Sequence, residues 1–379
     1  MVTIYAAMGN ALAVIRCNHG NWKVDLKLGG FPTQCVAADP MRPDLVYCGT
    51  FGHGLWKSDD AGENWQPVGE GIAHPEVMAV AVSRVERVGN RGVVWAGTEP
   101  SALFRSADGG ATWLERPNLK TLPSAPTWSF PPRPWTHHVR WILPDPVVAQ
   151  RIFVGIELGG VMRSLDDGQT WEDRKPGAQP DAHTLRAHRL APGRVYEAAG
   201  GGFAESFDGG TTWRGFDDGL RWHYLWGLAI DPGDPDTVVV SASPGPRQAH
   251  DAMAGQVEAR RDASQHDPTL DTGASVYRSS GGPRRWSGHG QMGPESAVYR
   301  RSGNGPWMEV RSGLPEPRGT LAYVLASNED EPGVFYAAPH QGSLFRSVDA
   351  GLSWERLNVV WPDGLAPRRA EGLVVVGQP

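Results

Sequence analysis

Three histidines recur at one spacing. His137, His183 and His223 each stand nine residues before a proline, Pro146, Pro192 and Pro232, ahead of an apolar run. Three neutral imidazoles converging with one position left open are the usual ligand set of a catalytic divalent ion, here zinc, manganese or iron. Such an ion makes its bound water acidic enough to act as hydroxide near neutral pH. Without an ion, one of the three can serve as a general base. Glu157, in "GIELGG", is placed to ligate or to orient an imidazole. Tyr224 is a further candidate catalytic group, and His74, His53 and His340 are further candidate metal ligands. Arg140 and Arg186, each six residues before the same prolines, either bind an anionic group or pair with acids between elements. Trp135 and Trp222 either stack on a substrate or close a lid. Side chains alternate along a strand, so His138 is expected to face away from the trio that contains His137.

The elements that must position these residues are strands of a repeat. "SDDAGENW" from Ser58, "SADGGATW" from Ser106, "SLDDGQTW" from Ser164, "SFDGGTTW" from Ser206 and "SVDAGLSW" from Ser347 all fit S-x-D-x-G-x-x-W. Weaker copies are "RCNHGNW" from Arg16 and "RRSGNGPW" from Arg300. In each, the Asp can accept from backbone N–H groups of its own turn, the Gly supplies a positive φ, and the Trp starts the returning strand. Recurrence in every unit makes this a structural staple rather than a Ca²⁺ loop.

These segments resemble the Asp-box (BNR) repeats of β-propellers, a family that includes sialidases, other glycosidases and sortilin-type receptors. The resemblance implies four-stranded antiparallel blades around an axis. Inner strands are expected at 33–40, 77–84, 139–146, 185–192, 225–232, 322–329 and 372–379, which gives seven blades. The last of these lies at the C-terminus and the chain begins with "VTIYAA", so the two ends should complete one blade and leave no open sheet edge. "VYRSSGGPRRW" from Val276 would add an eighth blade, but only one inner strand lies between Trp213 and Trp307, so it reads as inserted material. Residues 1–379 thus form one propeller, with insertions at about 114–136 and 244–295 on the face opposite the Asp turns. "DAMAGQVEARRDA" in the second insertion could form a helical turn or two. Ten of the twelve histidines fall in connections on that same face.

Bulk composition narrows the function classes. A net charge of −6 offers no basic footprint for nucleic acid. No run is long enough to span a membrane. Three cysteines without CxxC spacing read as free thiols, and the first residues read as a strand, so a cytoplasmic location is expected. Sialidases carry an F/Y-R-I-P motif that is missing here, which argues against that activity. The expectation is a metal-dependent hydrolase or lyase acting on a small organic, possibly anionic, substrate. The alternatives are a non-catalytic propeller that binds protein or glycan, and a glycosidase using two of Glu76, Glu99 and Glu157.

Overall fold

The computed structural model describes residues 2–18, 20–250, 293–340, 342–362 and 369–377. Seven sheets surround one axis. Their inner strands are Gly372–Gly377, Thr33–Asp39, Glu76–Val88, Val139–Pro144, Ala182–His188, Tyr224–Asp231 and Val324–Ser327, here the inner strands of blades 1 to 7. Each touches the next, and blade 7 meets blade 1, so the ring is closed. In blade 1 the C-terminal strand pairs antiparallel with Val2–Ala7, as expected from the sequence. Blade 1 also carries a short parallel segment, Val359–Val360, on its outer strand. Blade 4 has three strands, and its fourth is reduced to a bridge between Arg163 and Glu172.

Each sheet is covered on both faces by its neighbours. The second strands therefore read as continuous apolar runs rather than alternating ones. Ile152–Ile156 and the run 238–242 are buried throughout. Close blade-to-blade approach also fixes Gly97, where a Cβ would stand 2.4 Å from Val139 Cγ1.

The S-x-D-x-G-x-x-W turns share one face, the lower one. In the first, Gly62 N–H donates to Ser58 Oγ at 2.8 Å, Asn64 N–H to Asp60 Oδ1 at 2.9 Å and Trp65 Nε1–H to Gly62 O at 3.1 Å. The same bonds recur around Ser106, Ser164 and Ser206. The turn glycines take φ between 74° and 95°. Some of these tryptophans tie blades together: Trp113 Nε1–H also donates to Val68 O, at 2.6 Å. Charge does the same deeper in. Glu205, 1% exposed, lies between Arg194 and Arg301 and joins blade 5 to blade 6.

A channel of about 350 Å³ follows the axis. Arg84 and Glu329, from blades 3 and 7 on opposite sides of the ring, form an ion pair across its lower mouth. The insertion at 114–136 contains two short 3₁₀ turns, Pro117–Thr121 and Ala125–Thr127, and is anchored by buried Leu119 and Trp128. The insertion at 244–295 opens with a short helix, Pro246–Ala249. The helical turn expected in "DAMAGQVEARRDA" and the repeat-like "VYRSSGGPRRW" lie outside the described residues. Among the described residues no helix is long and apolar enough to cross a membrane.

Candidate functional site

Five consecutive inner strands, those of blades 2 to 6, carry a β-bulge near the upper end. In blade 4, Val139 pairs with Ile156 and Trp141 with Gly155, which leaves Arg140 unpaired. In blade 5, Ala182 pairs with Ala199 and Thr184 with Ala198, which leaves His183. The bulge of blade 6 releases Trp226 and Gly227, that of blade 2 Gln34 and that of blade 3 Met78. A bulge bends the strand and re-aims the extra side chain. Five bulges at one end thus release six residues, of which all but His183 line the channel.

His183 is fully buried there. Its Nδ1–H donates to Leu225 O at 2.6 Å, so Nε2 is the nitrogen left to face the neighbouring carboxylates. Nε2 faces Asp181 Oδ1 at 3.4 Å, and ligand atoms of Glu157, Asp181 and His183 all lie within 4.8 Å of one another. Glu157 accepts from His138 Nε2–H at 3.1 Å. His138 Nδ1 in turn lies 3.4 Å from Glu99, whose two oxygens are clamped by Arg133 at 2.6 Å each. Burial alone would raise the Glu157 carboxyl, but His138, His183 and Arg140 together hold it down at about 2. Burial would likewise lower His183, yet Asp181 and Glu157 keep it above the usual histidine range. The cluster gathers groups from the ends of second strands and the starts of inner strands, all on the upper face.

A basic side adjoins it. The Arg140 and Arg369 guanidinium carbons lie 4.3 and 4.8 Å from the Trp226 ring centroid. Tyr224 Oη is 3.0 Å from His250 Nε2, and the Tyr224 ring lies 4.9 Å from that of His183.

The structure does not bring together the three histidines picked by spacing. His223 is exposed. His137 is half-buried and packs edge-on against Trp128 at 5.4 Å. It is His138, not His137, that reaches Glu157 and so the surroundings of His183. The reason is the landmark. Pro146 and Pro232 follow their inner strands, whereas the short turn of blade 5 puts Pro192 inside its second strand, Ala191–Ala199. Counted instead from the serine that opens each turn, Ile152 (opposite Ser164) matches Val195 (opposite Ser206). Arg140 then aligns with His183, and His138 with Asp181. Arg186 aligns with Leu143, not with Arg140. Arg186 lies in the channel with its guanidinium 4.5 Å from the Trp141 ring, and burial lowers it to about 10.

The other candidates lie elsewhere. His53 is exposed and stacks on Phe31 at 4.5 Å, and His74 is half-buried ahead of blade 3. His340 lines a small cavity beside Trp361 and Met8. Trp222 is buried in the core between blades 5 and 6, and Trp135 is 57% exposed. Glu76 pairs across the strands with Glu99. Asp181, His250 and Arg369 were not singled out by sequence. Asp181 had a usable signal: an acid two residues before a histidine at the start of an inner strand.

No protein-family model and no curated protein matches the chain. Solved structures do. A GH74 xyloglucanase from Xanthomonas campestris superposes with a TM-score of 0.57 at 18% identity, over 86% of this chain and 45% of that one. An ancestral GH74 enzyme gives 0.56 at 17%, over 83% and 36%. YCF48 from Cyanidioschyzon merolae gives 0.53 at 14%, over 90% and 87%. The chain therefore spans less than half the length of either glycoside hydrolase. At such identities the likeness speaks to architecture alone, and the chain is a seven-bladed β-propeller.

Proposed function

We propose that the cluster beside the upper end of the channel binds one divalent metal ion through His183 Nε2, Asp181 and Glu157, and that the protein is a metal-dependent hydrolase or lyase acting on a small organic molecule. The observation that carries this reading is the state of His183. Its Nδ1–H is committed to a backbone carbonyl and its Nε2 is turned to two carboxylates. That is how metal-ligating histidines are usually fixed. Neighbouring ligands on one ion with bonds near 2.1 Å stand about 3.0–3.4 Å apart; His183 Nε2 and Asp181 Oδ1 already do, at 3.4 Å, and Glu157 would close in from within 4.8 Å. One imidazole and two carboxylates suit zinc, manganese or iron. Such an ion supplies Lewis acidity toward a carbonyl or a water. His138, held between Glu99 and Glu157, orients the Glu157 carboxylate. The three free cysteines fit the reducing cytoplasm as its place of action.

The test is metal content of tag-free protein, with and without His183→Ala. The expected result is about one equivalent of metal per chain in the wild type, lost in the variant, and a melting temperature that drops on chelation only in the wild type. Equal metal content in both proteins, or none in the wild type after reconstitution, would overturn the reading.

A further inference from the structure

Next to the proposed metal ligands lie Arg140, which lines the channel, and Arg369 beside it, neither in an ion pair with a described acid. We propose that Arg140 and Arg369 bind a carboxylate of the substrate, with the Tyr224 hydroxyl as a third donor. This deepens the metal-site reading, and rests on it for the role of the bound molecule, by naming the substrate class as a small organic carboxylate.

Arg140 makes no hydrogen bond or ion pair with any described residue, and its Nε is buried without a partner. Arg369 Nη1–H donates to His250 Nδ1, while its Nε and Nη2 are buried and unpartnered among the described residues. Both guanidinium groups are held against Trp226, which fixes them without using their N–H donors. Unmade charged donors at a buried site are costly, and a carboxylate accepts two N–H groups from each planar fork.

The Arg369 contact also sets a proton. Arginine only donates, so His250 Nδ1 must accept. Neutral His250 then carries its hydrogen on Nε2 and donates it to Tyr224 Oη at 3.0 Å. Burial, with Arg369 beside it, keeps His250 neutral by pushing it well below the usual histidine range. The Tyr224 O–H is thereby left free to donate into the site, whose nearest acids are Glu157 and Asp181. Glu157, Asp181 and the channel-lining Glu371 repel a phosphate group, with two charges on one centre, more strongly than a carboxylate group, with one, and so favour carboxylate groups as the anionic part of the ligand. Arg186, deeper in the channel on Trp141, can take a second carboxylate, and the Arg84–Glu329 pair crosses the far end.

The experiment uses full-length protein stripped with EDTA and titrated calorimetrically with malonate, with sodium chloride of equal ionic strength as control. Saturable binding is expected in the wild type, at least tenfold weaker in Arg140→Gln and in Arg369→Gln, and several-fold weaker in Tyr224→Phe. Malonate heats no different from chloride, or unchanged affinity in both arginine variants, would overturn the proposal. If a variant loses its native circular dichroism, phenylglyoxal labelling of the wild type replaces it. Malonate should shield Arg140 and Arg369, and equal labelling with and without it would overturn the proposal. Because the protein is metal-free, malonate binding without metal binding breaks only the metal reading, and the reverse breaks only this one.

Discussion

The two faces of the propeller use their residues in opposite ways. On the lower face one turn is written again and again, with the same serine, aspartate, glycine and tryptophan making the same bonds. On the upper face equivalent bulges contribute unlike residues: Arg140, His183 and Trp226 come from three neighbouring blades. Repetition serves the stability of the ring, which needs every blade joined to the next. A binding site needs different groups meeting at one point, so it breaks the repeat.

That contrast can be broken at several places. The largest effect is expected at Glu205, buried between Arg194 and Arg301 on the structural side. Glu205→Ala strands buried Arg301 and leaves Arg194 only Asp236, so a loss of about 3–5 kcal/mol is expected in chemical denaturation, with metal stoichiometry unchanged in the folded protein. A loss under about 1 kcal/mol would show that blades 5 and 6 are held otherwise.

Next is His138, on the functional side. His138→Ala removes the donor that orients Glu157, and an affinity loss of about 10–100-fold for the metal is expected by titration. His137→Ala, one residue away, should leave it unchanged. The opposite ranking would restore the alignment by prolines.

Glu197 sits between the two regimes, fully buried in the second strand of blade 5. It accepts one bond, from Gln179 N–H at 2.9 Å, and no cation is paired with it among the described residues. Burial raises its carboxyl to about 8. The folded chain therefore keeps a proton that the unfolded chain releases above about 4.5. This contribution to stability is present at pH 4 and is lost as pH rises to about 8. Glu197→Gln should flatten that part of the stability–pH curve. A slope identical to wild type would mean that Glu197 is ionised in the fold.

The smallest effect is expected at a single lower turn. Asp208 accepts from Thr212 N–H at 2.8 Å, and that bond, with others in the turn, holds its carboxyl at about 2. Asp208→Ala should cost about 1 kcal/mol near pH 7. In the wild type this contribution fades as pH falls from about 4 toward 2, where the turn carboxylates protonate. Metal binding should not change.

The same contrast explains what sequence made legible. The turns are local, each closed by bonds among its own eight residues, so five copies identified the repeat, and the seven inner-strand runs set around it indicated blade number and ring closure. The upper face could be identified because histidines crowd its connections. The identity of the cluster could not. A bulge adds one residue that alters no local pattern, and turns of unequal length moved Pro192 past the strand end. Asp181, in "GAQPDAH", looks like solvated loop until His183 is placed beside it. Arg369 and His250 meet only because the ring closes, 119 residues apart in the chain.

We place the chemistry on the irregular face, not on the repeated one. Anomalous diffraction from crystals soaked with manganese or zinc tests it most directly. One strong peak is expected between His183 Nε2, Asp181 and Glu157, with bonds of about 2.0–2.2 Å. No peak there, or peaks only at the aspartates of the lower turns, would contradict it.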